Sequence, residues 1–96
     1  MRIISKKKLR EFWKDHPRAK AVLEAWYQVI RHAKWETFAD VRETFGSADQ
    51  YVRFTIFNIG GNKYRLIAVI HFNRGLLYVR HVLTHAEYDE EKWKDE

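Results

Sequence analysis

The residues best suited to chemistry stand near the end of the chain, in Thr84-His85-Ala86-Glu87-Tyr88. Thr84 and Glu87 have the spacing of a capping box, in which the hydroxyl accepts from one helix-start N–H and the carboxylate reaches back to another. This predicts a short last helix beginning at Thr84 and running toward Trp93. His85 then takes the first helical position, and Tyr88, three residues on, shares its face. A helix start offers unpaired N–H groups and a partial positive charge, which favours bound phosphate and keeps a nearby imidazole neutral. Two proton carriers beside such a start lack only fixed cations.

Those cations lie in Phe57-Asn58-Ile59-Gly60-Gly61-Asn62-Lys63-Tyr64-Arg65. Glycine adopts positive φ without a Cβ clash, so Gly60-Gly61 between apolar runs reads as a hairpin turn. A two-residue turn pairs Ile59 with Asn62, Asn58 with Lys63, Phe57 with Tyr64 and Ile56 with Arg65. Side chains alternate along a strand, so Asn58, Lys63 and Arg65 share one face near the turn and form a seat for an anion. If the strand ending at Thr84 lies alongside, His85, Tyr88, Lys63 and Arg65 surround one pocket.

Charge distribution favours the same place. Residues 1–34 carry 10 Lys and Arg against 3 acids, and residues 51–83 carry 5 against none. Arg53, Lys63, Arg65, Arg74 and Arg80 therefore have no carboxylate within their own segment, which leaves them for a phosphate from outside. Asn58, Asn62, Arg53 and Arg74 are expected as RNA contacts. With these groups the matching reaction is RNA cleavage by attack of the ribose 2′-hydroxyl on the adjacent phosphate. It needs a base, fixed positive charge for the phosphorane and an acid for the departing 5′-oxygen. His85 and Tyr88 carry the protons, in an order the residues leave open.

No metal or other cofactor is expected, because the five histidines lack ligand spacing and Glu87 and Asp89 are too few. His71 and His81 read as structural. Gly60-Gly61 joins two strands and precedes no helix, so it is not a phosphate-binding glycine loop.

The elements that must position these groups follow in order. Arg2 to Ile4 is a short strand, and Ser5 caps a helix carrying Leu9, Phe12, Trp13 and His16 on one face. Pro17 ends that helix and opens the next, whose stripe is Ala19, Val22, Leu23, Trp26, Ile30 and Ala33. Thr37 can cap a short helix over Phe38, Val41 and Phe45, or the segment is a loop. Strands are expected at about 51–59, 62–72 and 76–83. A three-residue loop before Leu76 puts Arg80 on the Tyr64 face; a four-residue loop puts it with Lys63 and Arg65. The fold class is α+β: one domain over 1–96, a two-helix hairpin on one face of a curved antiparallel sheet, the other face open.

Composition sets the outer bounds. At 96 residues, 46% hydrophobic, the chain supports a single modest core. A net charge of +5 points to a polyanionic partner. The absence of cysteine excludes disulfides and thiolate sites. No apolar run reaches membrane-spanning length or resembles a signal peptide, so no membrane partner and a cytoplasmic location are expected.

The segments Phe57 to Leu66 and Arg80-His81-Val82-Leu83-Thr84-His85-Ala86-Glu87-Tyr88-Asp89 resemble the two signatures of the HigB toxins, a branch of the RelE-like bacterial toxins. The opening from Ile4 to Trp13 and Ala25-Trp26-Tyr27 are similar to the same family. The resemblance implies a RelE-like fold and a metal-independent mRNA endoribonuclease that acts on messages in the ribosomal A site. It implies a HigA-like helix-turn-helix antitoxin, with operator DNA bound only through the pair. By position the catalytic set is Lys63, Arg65, Arg80, His85 and Tyr88, which favours the four-residue loop. Two other readings share these features: a ParE-like toxin of the same fold that binds gyrase, and a noncatalytic RNA-binding module. The proton-carrying pair favours the nuclease.

Overall fold

The apolar stripes build the helical layer first. The computed structural model describes residues 1–95. It has β1 (Arg2–Ile4), α1 (Lys7–Asp15), a 3-10 turn at Pro17–Ala19 and α2 (Lys20–His32). Then come α3 (Phe38–Thr44), β2 (Asp49–Tyr51), β3 (Phe54–Ile59), β4 (Tyr64–His71), β5 (Leu76–Thr84) and α4 (His85–Asp89). Leu9 of α1 and Leu23, Trp26 and Ile30 of α2 are buried against Phe57, Ile59, Leu66, Ala68, Leu77 and Val79 of the sheet. Pro17 opens its turn at the first position, where its missing N–H costs nothing. Ser5 does not cap α1: the cap position is Lys6, with no side-chain bond. Residues 38–44 are helical, held by Asp40, whose carboxylate accepts from the N–H groups of Glu36 and Thr37.

The sheet runs β1-β5-β4-β3-β2, with β1 parallel to β5 and every other pair antiparallel. One expected strand is in fact two. A turn at Val52-Arg53 separates β2 from β3 and pairs Tyr51 with Phe54. Val52 takes φ 54° there, a conformation that glycine usually supplies.

The glycine hairpin also departs from its expected register. Gly60 and Gly61 have the anticipated positive φ, 63° and 69°, but Ile59 pairs with Tyr64 and Asn58 with Arg65. The loop is therefore four residues, and Lys63 belongs to it. A slip of two residues leaves every side chain on its face, so hydrophobic alternation cannot tell the registers apart. Cross-strand packing can. The observed register sets Phe57 against Leu66 and Ile56 against Ile67, all buried, where the two-residue turn would have set Ile56 against Arg65.

At the other end His71 pairs with Leu76 across a four-residue loop, as the family resemblance favoured. The ladder then shifts: Ala68 pairs with Val79, but Ile67 pairs with His81, so Arg80 and His81 together span one position of β4. This bulge turns Leu83 toward Arg65 and Thr84 toward Tyr64.

The second sheet face is partly covered rather than open. Phe54, Ile56, Ile67 and Trp93 form a smaller core there, with Val69, Leu83 and Tyr88 packed against it. The cover is α4 and a 3-10 turn at Lys92–Asp95.

Candidate active site

Tyr64 pairing with Thr84 brings the glycine loop to the start of α4. The contact is direct, since the backbone N–H of His85 donates to the carbonyl of Lys63 at 3.1 Å. Thr84 performs the capping box anticipated for it: Glu87 N–H donates to the Thr84 hydroxyl at 3.2 Å, and Thr84 N–H donates to the Glu87 carboxylate at 2.9 Å. α4 is only five residues long, so its dipole is that of a single turn and contributes less than the sequence suggested.

Arg65 rises from β4 beneath this turn. It is only 8% exposed, and its guanidinium lies 5.3 Å from the Tyr88 ring centre. Nη1 donates to the Tyr64 carbonyl at 3.2 Å and Nη2 to Asn62 Oδ1 at 3.0 Å. Arg65 is therefore a fixed, half-spoken-for charge, and the exposed Asn62 turns its amide oxygen toward it. Lys63, in the loop beside them, is exposed. Asn58 stands directly across from Arg65 on β3.

His85 is exposed, and its Nδ1 lies 2.9 Å from the Asp89 carboxylate one helical turn on. A donated Nδ1–H leaves Nε2 with the lone pair and selects the tautomer able to accept a proton. In the sequence Asp89 stands out only as an insufficient metal ligand. Its i, i+4 spacing from His85 on a predicted helix was the signal for this role.

The remaining candidates are not brought to this point. Arg80 sits at the bulge, roughly 10 Å along β5 from Leu83 at the usual strand rise. Its carbonyl accepts from Lys8 Nζ of α1 at 2.7 Å. Arg53 is in the β2–β3 turn with its guanidinium 4.7 Å from the Phe54 ring. Arg74 lies in the 3-10 turn after the eight-residue β4, at the opposite end of that strand from Tyr64. That separation is roughly 23 Å. His71 packs edge-on against Tyr78 at 5.4 Å, and His81 lines a cavity of about 350 Å³ with Leu83, Glu87, Glu90, Lys92 and Trp93.

Taken together the loop and α4 hold an oriented imidazole, a phenol, a buried guanidinium and an exposed ammonium. That set can move two protons and stabilise a developing phosphorane.

Known proteins with this sequence pattern agree on a class. Residues 19–91 match the profile of the HigB toxin, described as the RelE-like toxic component of a toxin-antitoxin system. The mRNA interferase HigB of Escherichia coli O6:H1 is 33% identical over 92 residues, covering 93% of this chain and 89% of that protein. The mRNA interferase toxin HigB of Escherichia coli K12 is 30% identical over 92 residues, covering 93% and 88%. The mRNA interferase HigB of Shigella flexneri shows the same 30% identity and coverage.

Proposed function

The chain belongs to the HigB family of RelE-like toxins, whose members include mRNA endoribonucleases of toxin-antitoxin pairs, and we propose that it cleaves message by 2′-hydroxyl attack at the α4 site. In this reading His85 Nε2 takes the proton of the ribose 2′-hydroxyl. The 2′-oxygen attacks the adjacent phosphorus, and the bond from phosphorus to the 5′-oxygen breaks. Tyr88 donates its proton to that leaving oxygen, giving a 2′,3′-cyclic phosphate and a free 5′-hydroxyl. Arg65 supplies fixed charge beneath the phosphorane, and the exposed Lys63 contacts the phosphate oxygens. Asp89 holds the imidazole tautomer. Arg80, farther along β5, serves the flanking backbone, and Asn58 supports the Arg65 side of the groove; Arg53 and Arg74 have no part in it.

One observation carries this reading. The two segments singled out in the sequence meet at the His85 N–H to Lys63 carbonyl bond, with Arg65 under Tyr88. The substrate is message held in the ribosomal A site, with the basic N-terminal helices against ribosomal RNA, and the work is done in the cytoplasm. The neutralising partner is a HigA-like helix-turn-helix antitoxin, through which the pair reaches its operator DNA. No helix among the described residues is long and apolar enough to cross a membrane.

Purified protein is expected to cut message on translating ribosomes far faster than the same RNA free in solution, read by primer extension. Equal cutting of naked RNA would refute the ribosomal part. Cutting at the parental rate by both His85→Gln and Tyr88→Phe would refute the chemistry.

A further inference from the structure

Beyond α4 the chain reverses on Glu91, which takes φ 62°, and its N–H donates to the Tyr88 carbonyl at 3.1 Å. The reversal sends Lys92–Asp95 back over the sheet and buries Trp93 to 3% exposure. The indole does more than fill the small core. Its Nε1–H donates to the same Tyr88 carbonyl at 3.0 Å, and its ring stacks on the Tyr88 ring at 5.2 Å with an interplanar angle of 11°. Behind it, Phe54 and Tyr51 meet the indole edge-on at 6.0 and 5.6 Å. Lys94 bonds Glu91 at 2.9 Å and stands 4.7 Å from the Tyr51 ring centre, closing the turn from outside.

A line of contacts thus runs from β2 through Trp93 and Tyr88 to Arg65 and on to Asn62 in the glycine loop. Tyr88 is half-buried on a five-residue helix, a length that cannot hold a side chain rigidly by itself. Its orientation must come from a neighbour. Trp93 grips both its backbone and its ring.

We propose that Trp93 is a positioning residue for RNA cleavage, setting the Tyr88 phenol at the scissile phosphate. The inference rests on Tyr88 acting as the acid. A side chain that positions an acid affects the rate of the chemical step and leaves substrate binding alone. A side chain that merely fills a core affects melting and leaves kcat of the folded protein unchanged.

The experiment is a double-mutant cycle of Trp93→Phe and Tyr88→Phe, both of which keep a ring at the site. Cleavage of a defined message on programmed ribosomes is measured below the melting transition of every variant. Trp93→Phe loses the bond to the Tyr88 carbonyl and is expected to lower kcat three- to tenfold with KM within twofold. In the Tyr88→Phe background it is expected to lower kcat by less than twofold more. Trp93→Leu should lower kcat further than Trp93→Phe, so that the aromatic replacement is a partial rescue. Losses that multiply across the cycle, or an unchanged kcat in Trp93→Phe, would overturn the inference while leaving Tyr88 as the acid. Full activity in Tyr88→Phe alone would overturn the assignment of Tyr88, and the positioning role with it.

Discussion

The two faces of the sheet are built to different specifications. Under the helices, Leu9, Leu23, Ile30, Phe57, Leu66 and Leu77 have no exposed surface, and aromatic contacts from Trp26, Trp35 and Phe45 converge on Phe57. On the other face Phe54, Ile56 and Ile67 lie under a five-residue helix and the 3-10 turn that carries Trp93. The large core can hold the fold whatever happens opposite. The thin one leaves His85 exposed and Tyr88 half-buried, with the Arg65 guanidinium just beneath them. The division teaches that the main core and the proposed chemistry can occupy opposite surfaces of the same strands, because side chains alternate between faces.

Substitutions on each face can break that division or sharpen it. Phe57→Ala should act on stability alone, costing about 3–5 kcal/mol, which is a large part of the total for a domain of this size. Urea titration checks it, and a loss under 1 kcal/mol would mean that the helical side is not the main support. His85→Gln, on the thin face, is expected to do the reverse. Cleavage should fall by roughly 10²–10⁴, the usual worth of a positioned acid or base, with the melting temperature unchanged.

Asp89→Asn probes the same face more gently. It removes the carboxylate that holds the imidazole tautomer, so cleavage should drop by roughly tenfold or more, less than for loss of the base itself. An exposed pair of this kind adds little to stability, and melting should not move. A parental rate in Asp89→Asn would leave the 2.9 Å contact as surface decoration. Val52→Gly has the smallest expected effect. Val52 is 79% exposed at φ 54°, and relieving the strain should stabilise the protein by about 0.5–1 kcal/mol. No change in cleavage should accompany it, because the substitution leaves Tyr51 and Phe54 in place against Trp93.

What was legible came from local signals. The capping box at Thr84 and Glu87 places His85 and Tyr88 correctly because its two bonds depend only on residues three apart. The stripe from Ala19 to Ile30 identifies the buried side of α2 for the same reason. The β2–β3 turn was not legible, since Val52-Arg53 contains none of the residues that mark turns. Nor was the packing of Trp93 on Tyr88, which depends on a reversal at Glu91 that no glycine or asparagine announces.

The sequence by itself determined which strand faces are apolar, where the last helix starts, and that His85, Tyr88, Lys63 and Arg65 belong to segments able to meet. Tertiary structure alone decided the four-residue glycine loop, because a two-residue slip preserves every face and only cross-strand packing of Phe57 on Leu66 and Ile56 on Ile67 distinguishes the registers. It alone placed the bulge at Arg80 and His81, which rotates the end of β5 so that Thr84 meets Tyr64. It also sorted the arginines. Arg65 was drawn under Tyr88 while Arg53 and Arg74 were left at the far end, a separation set by strand length and direction that composition cannot express.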